Sequence, residues 1–251
     1  MIAKARRDEI VKILSSKKSV SSSELSKLFD VTEETIRRDL NILSAQGEII
    51  RTHGGATQKD ESDPAFNARI REMHSEKERI GKFAASMVKE RDAIFIDAGT
   101  TTLMLARNIK DSIEAVVITN SKYAIDELAS KNRITTICTG GILRKKSMSF
   151  IGKAAEQTIK SYNFNKVFLS ARAISVKNGV MDSYEPEANI NRLAVTSAYE
   201  VIILADSTKL EKLALEKVCS TSEISTIITD TGADKAIVSE FENLGIKVYI
   251  V

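Results

Sequence analysis

From about residue 74 onward, short apolar runs rich in β-branched residues alternate with helical stretches. They read AIFIDAGTT, AVVITNS, ITTICTGG, KVFLSA, EVIILADST, TIITDTG and KVYIV. Four to six apolar residues, then Gly, Ser, Thr, Asn or Asp, then a helical pattern, is how buried parallel strands in βα units look. The expectation for 74–251 is an α/β domain built on a mostly parallel sheet. In open sheets of this kind, ligands bind beyond the carboxyl ends of the strands. The polar residues at those ends are therefore the candidates for a binding site.

Residues 1–56 follow a different pattern. In RRDEIVKILSSKK, Ile10, Ile13 and Leu14 share one helical face. A second helix begins in SVSSSELSKLF, where Ser21 and Glu24 fit a capping box and Leu25 and Leu28 supply the buried stripe. DVT is a short break. Thr32 is the expected N-cap of a third helix, with Glu33 and Glu34 in its first turn and Ile36, Leu40 and Leu43 on one face. Gly47 is expected to stop that helix. EIIRTHGGATQ then gives a short β-prone run with a Gly-Gly turn. Two helices, a tight turn, a third helix and a hairpin make a winged helix-turn-helix. Residues 57–73, which open polar and charged and hold Pro64, read as the linker and domain boundary.

In VTEETIRRDL, residues 31–40, two arginines stand together in mid-helix. With Ile36 on the core side, at about 100° per residue, the outward face is Glu34, Thr35, Arg37, Arg38 and Asn41. These side chains bond phosphates and base edges. Glu33–Arg37 and Glu34–Arg38 are also i, i+4 pairs, worth about 0.2–0.5 kcal/mol each as helix stabilisers, so the pair alone leaves both readings open. Its setting favours DNA: a capped helix, a short turn and a wing surround it. RTHGGA adds Arg51 and His53 beside Gly54 and Gly55, a turn flexible enough to approach a phosphate backbone. For His53 alone, an ordinary turn residue is the better reading. Charge says little, since the net charge is +3 and residues 1–56 hold ten Lys and Arg against eight Asp and Glu. Any nucleic-acid surface has to come from clustering in space.

The segment ELSKLFDVTEETIRRDLNILSAQGEIIRTHGGA resembles the DNA-binding region of DeoR-family bacterial transcriptional regulators. The matching features are the E-T-I-R-R-D-L helix, the glycine after it and the R-x-H-G-G-A wing. The resemblance implies a winged helix-turn-helix that reads double-stranded operator DNA as a homo-oligomer, dimer or tetramer. Arg37 and Arg38 would lie at the major groove, with Thr35 and the Ser21, Ser22 and Ser23 region near the backbone.

The strand ends of the second domain gather Asp97, Gly99, Thr100, Thr101 and Thr102; Thr119 and Asn120; Gly140 and Gly141; Arg172; and Asp206 and Lys209. DAGTTT places a glycine turn, three hydroxyls and a helix N-terminus together, which suits a phosphate. The plainer reading is that Thr100 caps the helix and Gly99 permits the turn. Arg144, in the basic loop after TGGIL, is either a cation partner for a phosphate or part of a solvated loop. FIDAGTTT, VITNS, TGGILR, IGKAAEQ and LADSTK resemble the family's sensor domain, which is related to ribose-5-phosphate isomerase folds. That resemblance implies a sugar-phosphate effector at Asp97–Thr102, Asn120, Gly140, Gly141, Arg144 and Lys209. One stretch departs from it. Where many members carry G-x-D-G-I, this chain has SARAI, with Arg172 in the acidic position, and Asn191 stands where many have Lys.

The expected function is a transcriptional regulator, a repressor of sugar-metabolism genes controlled by a phosphorylated sugar or related metabolite. One alternative is a constitutive DNA-binding regulator whose sensor domain binds nothing. A further alternative is an isomerase-like enzyme using Asp97 and Asp206 as proton carriers. No catalytic residue, metal site or cofactor is expected: the two cysteines and two histidines form no ligand cluster. Cys138 and Cys219 read as small core residues in a reduced, cytoplasmic protein. No apolar run approaches the roughly 18–20 residues of a membrane span.

Overall fold

All seven apolar runs of the second half become strands of one parallel sheet. The computed structural model describes residues 3–17, 19–45, 49–52, 54–58 and 65–251. They divide into two compact units, Met1–Pro64 and Ala65–Val251.

The first unit runs α1 (Ala3–Lys17), β1 (Ser19–Ser21), α2 (Ser22–Phe29), α3 (Glu33–Ala45), β2 (Ile49–Thr52) and β3 (Gly55–Gln58). Ile10, Leu14, Leu25, Ile36, Leu40 and Leu43 form its core with Val20, Ile49 and Ala56. The Ser21–Glu24 capping box is present in both directions. Asp30 adopts a left-handed conformation at the end of α2, and the Thr32 hydroxyl accepts from the Thr35 amide at 3.2 Å, so the turn is closed on both sides. Leu28 departs from expectation, being 62% exposed. Phe29, the next residue round the helix, packs against the core in its place. The sequence also hid β1, which pairs with β3 and makes the wing three-stranded, in the order β1-β3-β2. Gly47, the expected helix stop, lies outside the described residues, as do His53 and residues 59–64 of the expected linker.

The second unit starts earlier than the sequence suggested. Phe66 is buried and stacks on Tyr123 with ring centroids 4.6 Å apart, so residues 65–73 fold onto the sensor half as a short helix, α4 (Phe66–Arg69), and a turn. The Phe66 amide also donates to the Lys146 carbonyl at 2.9 Å. The chain continues α5 (His74–Ala85), β4 (Ala93–Ile96), α6 (Thr100–Asn108), β5 (Ala115–Thr119), α7 (Lys122–Leu128), β6 (Ile134–Cys138), β7 (Ile142–Arg144), β8 (Ser149–Ile151) and α8 (Lys153–Lys160). It ends β9 (Phe164–Ser170), β10 (Ala173–Ser175), β11 (Gly179–Asp182), α9 (Glu185–Thr196), β12 (Ala198–Leu204), β13 (Glu216–Cys219), β14 (Thr226–Thr229), α10 (Lys235–Asn243) and β15 (Lys247–Ile250).

The main sheet has the order β15-β14-β12-β9-β4-β5-β6. Alternate side chains of each strand point to opposite faces, and both faces are covered. Phe95, Val167 and Leu169 pack with residues of α8, α9 and α10, while Ile94, Ile96 and Phe168 pack with α5, α6 and α7. Strands follow one another outward from β4 to β5 and β6, and from β9 to β12, β14 and β15. The order therefore reverses between β4 and β9, and a crevice opens at such a switch point. Two small antiparallel additions, β7-β8 and β10-β11-β13, complete the unit. Cys219 is buried, as expected, but Cys138 is exposed at the end of edge strand β6, which pairs only with β5 in the main sheet.

Candidate functional site

The face of α3 opposite Ile36 is outward. Glu34, Arg37, Arg38 and Asn41 are exposed, and Thr35 is half-buried because its hydroxyl lies 2.9 Å from that of Thr32. Arg38 makes the expected ion pair with Glu34, at 3.5 Å. Arg37 makes no ion pair with any described residue, so the second expected pair is not formed and its guanidinium is left for a partner. Between Arg38 and Leu40, Asp39 turns inward and takes Arg6 Nε at 2.6 Å and Arg7 Nη1 at 3.4 Å. That buried pair ties α1 to α3, and it withdraws two arginines from the basic surface. The backbone-contact candidates sort differently. Ser23 is exposed, Ser21 is spent on the cap, and Ser22 is buried with its amide bonded to the Gly54 carbonyl. Gly55 is a packing glycine. A Cβ there would meet the Val20 carbonyl oxygen at 2.1 Å, whereas Gly54 has open space around it. Arg51 is half-buried, and its Nη1 has no hydrogen-bond partner among the described residues.

In the second unit, a small cleft of about 20 Å³ opens at the switch point. Thr100 and Thr101 line it from the first turn of α6, Ser170, Ala171 and Arg172 from the end of β9, and Leu204, Ala205, Asp206 and Lys209 from the end of β12. Arg69 and Lys77 close it from the segment before the sheet. Four cations thus share one small cleft with the N-terminus of a nine-residue helix, whose first amides have no intrahelical acceptor. Such a site favours a multiply charged anion.

Asp97 builds this cleft rather than facing it. One carboxylate oxygen accepts from the Gly99 amide (3.2 Å) and the Thr102 hydroxyl (2.6 Å), the other from the Ser170 amide (3.0 Å) and hydroxyl (2.7 Å). It therefore clamps β4 to β9 across the switch. Burial pushes its carboxyl up to about 6, against the pull of those bonds. Gly99 has an ordinary extended backbone. What requires glycine is Ser170, whose hydroxyl would lie 2.0 Å from a Cβ. Burial also pulls the Lys77 ammonium down to about 8, with Asp206 resisting and Lys209 assisting.

Residues 6–62 match the DeoR-like helix-turn-helix domain and residues 72–231 the DeoR C terminal sensor domain. The chain belongs to the DeoR family. It is 41% identical to an uncharacterized HTH-type transcriptional regulator of Bacillus subtilis (strain 168), YulB, over all of this chain and 98% of that one. It is 31% identical to a putative aga operon transcriptional repressor of Escherichia coli O157:H7, over 98% of this chain and 93% of that one. It is also similar to ribose 5-phosphate isomerase A from Methanocaldococcus jannaschii, at 15% identity with 55% of each chain covered and a TM-score of 0.42.

As a DeoR-family regulator, the chain brings only part of the expected effector set to the cleft. Thr100, Thr101, Arg172, Asp206 and Lys209 line it; Gly99 and Asp97 support it from behind. Thr102 is wholly buried as the brace on Asp97, and Thr119 is wholly buried with its hydroxyl on the Ile96 carbonyl at 2.7 Å. Neither hydroxyl is presented to a ligand. Gly140 and Gly141, both at positive φ, turn β6 into β7 and are not among the residues lining the cleft. Arg144 is engaged elsewhere: it meets Glu187 at 3.3 Å and lies 4.1 Å over the Tyr184 ring. Asn120 and Asn191 are buried off the cleft lining, each with a side-chain oxygen that has no partner among the described residues. Arg69, Lys77 and Ser170 were not expected. Lys77 had a readable signal, because it shares the i, i+3, i+7 stripe of Ile80 and Ala84 and so sits on a buried face.

Proposed function

We propose that this DeoR-family regulator is a repressor of sugar-metabolism genes whose DNA binding is controlled by a phosphorylated sugar held in the switch-point cleft. The observation that carries this is the convergence of Arg69, Lys77, Arg172 and Lys209 on the first turn of α6. The α3 face with Arg37 and Arg38 supplies the DNA-reading half, and the protein acts in the cytoplasm as a dimer or tetramer on a two-fold operator. The aga relative named as an operon repressor supports the direction of control. Arg172, in place of the acid common in the family, adds positive charge to the cleft and favours a strongly anionic metabolite. An isomerase role is disfavoured because Asp97 already accepts four hydrogen bonds and is not offered to a substrate.

The test is to recover high-affinity sites from a random duplex pool and measure binding with and without pentose and hexose phosphates. One phosphate ester should weaken specific binding by about 5–150-fold. DNA affinity indifferent to every ester would favour a constitutive regulator, and turnover of an ester would favour the enzyme.

A further inference from the structure

The segment that follows the DNA-binding unit lines the switch-point cleft, and one buried ammonium braces its backbone. Lys77 is 2% exposed. Its Nζ donates to the Arg69 carbonyl and the Glu72 carbonyl, both at 2.6 Å. An ammonium has three donors, so one remains, and Lys77 lines the cleft. Arg69, on the segment so held, lines the same cleft, and its Nε is buried without a hydrogen-bond partner among the described residues. A buried unpaired donor is costly and is satisfied when a ligand brings an acceptor. The segment is otherwise lightly built. It consists of a four-residue helix, a left-handed Met73 at φ 49° and one anchor, Phe66, whose ring meets Tyr123 and whose amide donates to the Lys146 carbonyl at 2.9 Å. It begins at Ala65, directly after the last residue of the first unit.

We propose that Arg69 and Lys77 bind the anionic group of the effector, and that residues 65–73 are the element through which cleft occupancy reaches the DNA-binding unit. This rests on the cleft being the effector site. An anion there gives the Arg69 Nε its acceptor and takes the third donor of Lys77. It thereby couples the backbone of residues 69–72 to occupancy, and that backbone leads directly to residue 64. Neither residue is at a strand end, so both lie outside the set that strand-end reasoning selects.

The experiment uses the full chain with inorganic phosphate as probe, matched in ionic strength with chloride. Thermal unfolding reports binding, and amide hydrogen exchange reports the order of residues 65–73. In the wild type, phosphate should raise the unfolding temperature and slow exchange in 65–73. Arg69→Gln should weaken phosphate binding roughly 10–100-fold, with Arg69→Lys intermediate. Lys77→Met should speed exchange in 65–73 without phosphate and abolish the slowing with it. Phosphate that stabilises Arg69→Gln as well as the wild type, or that binds without changing exchange in 65–73, overturns this proposal and leaves the cleft reading intact. A wild type untouched by phosphate and by all sugar phosphates overturns both. Should Arg69→Gln fail to fold, the exchange comparison in the wild type and Lys77→Met decides alone.

Discussion

Arg37 and Arg38 are adjacent in sequence but differ in the structure. Arg38 leans on Glu34, while Arg37 has no ion pair among the described residues. Either one, replaced by Ala, should weaken operator binding by about 1–3 kcal/mol if it reads a base edge. The pair with Glu34 is exposed and worth little, so Arg38→Ala should leave folding stability nearly unchanged. Fluorescence anisotropy on operator and random duplexes separates the roles: equal loss on both identifies a phosphate contact. Lys77 carries the pH signature. Its folded value near 8 lies below the ordinary 10.5, so between the two the unfolded chain holds a proton that the folded chain has released. Stability therefore rises with pH across that window. Anion affinity should fall over the same range, because the cleft loses a charge. Burial is the main cause of this lowering; of the charged groups facing the ammonium, Asp206 and Glu72 oppose it and Lys209 and Arg69 add to it. Denaturant titrations from pH 7 to 10 should show the rise in the wild type and its absence in Lys77→Met. At this scale the sequence was legible for the outward face of α3 and for Thr100, Thr101, Arg172, Asp206 and Lys209 at the strand ends. It was not legible for Arg144 or Thr119, whose positions in the chain look like ligand positions but whose partners, Glu187 and the Ile96 carbonyl, are set by tertiary contacts.

Among the elements, periodicity carried most of the information. All seven parallel strands and the three helices of the DNA-binding unit follow from runs of apolar residues at the right spacing. The additions that were missed, β1, β7-β8 and β10-β11-β13, are short and depend on neighbours for their pairing. A three-residue strand has too few alternations to be told from a loop. The tie between α1 and α3 was equally hidden, because Asp39 sits beside exposed Arg38 and reads as one more surface charge. Breaking it should be costly: Arg6→Met leaves the Asp39 carboxylate buried with only the longer Arg7 contact. We expect a loss toward the low end of about 3–5 kcal/mol, read as a drop in the unfolding midpoint of the DNA-binding unit. A loss under about 0.5 kcal/mol would mean that Arg7 replaces Arg6 fully.

Across the whole molecule, each unit has its own apolar core. The first unit presents a recognition face, and the second closes a cationic cleft where its sheet reverses order. The proposed coupling along residues 65–73 is why the docking of Phe66 and the hold of Lys77 matter. The central claim is that this cleft takes a phosphorylated sugar, and thermal unfolding of the full chain against a panel of sugar phosphates tests it most directly. At 100 times its dissociation constant, a ligand should stabilise the second unit by about 2.7 kcal/mol, a rise of roughly 2–4 °C. At least one phosphate ester should give that rise, and its unphosphorylated sugar should give none. A panel in which no ester shifts the transition, or in which the free sugar does so equally, would contradict the account.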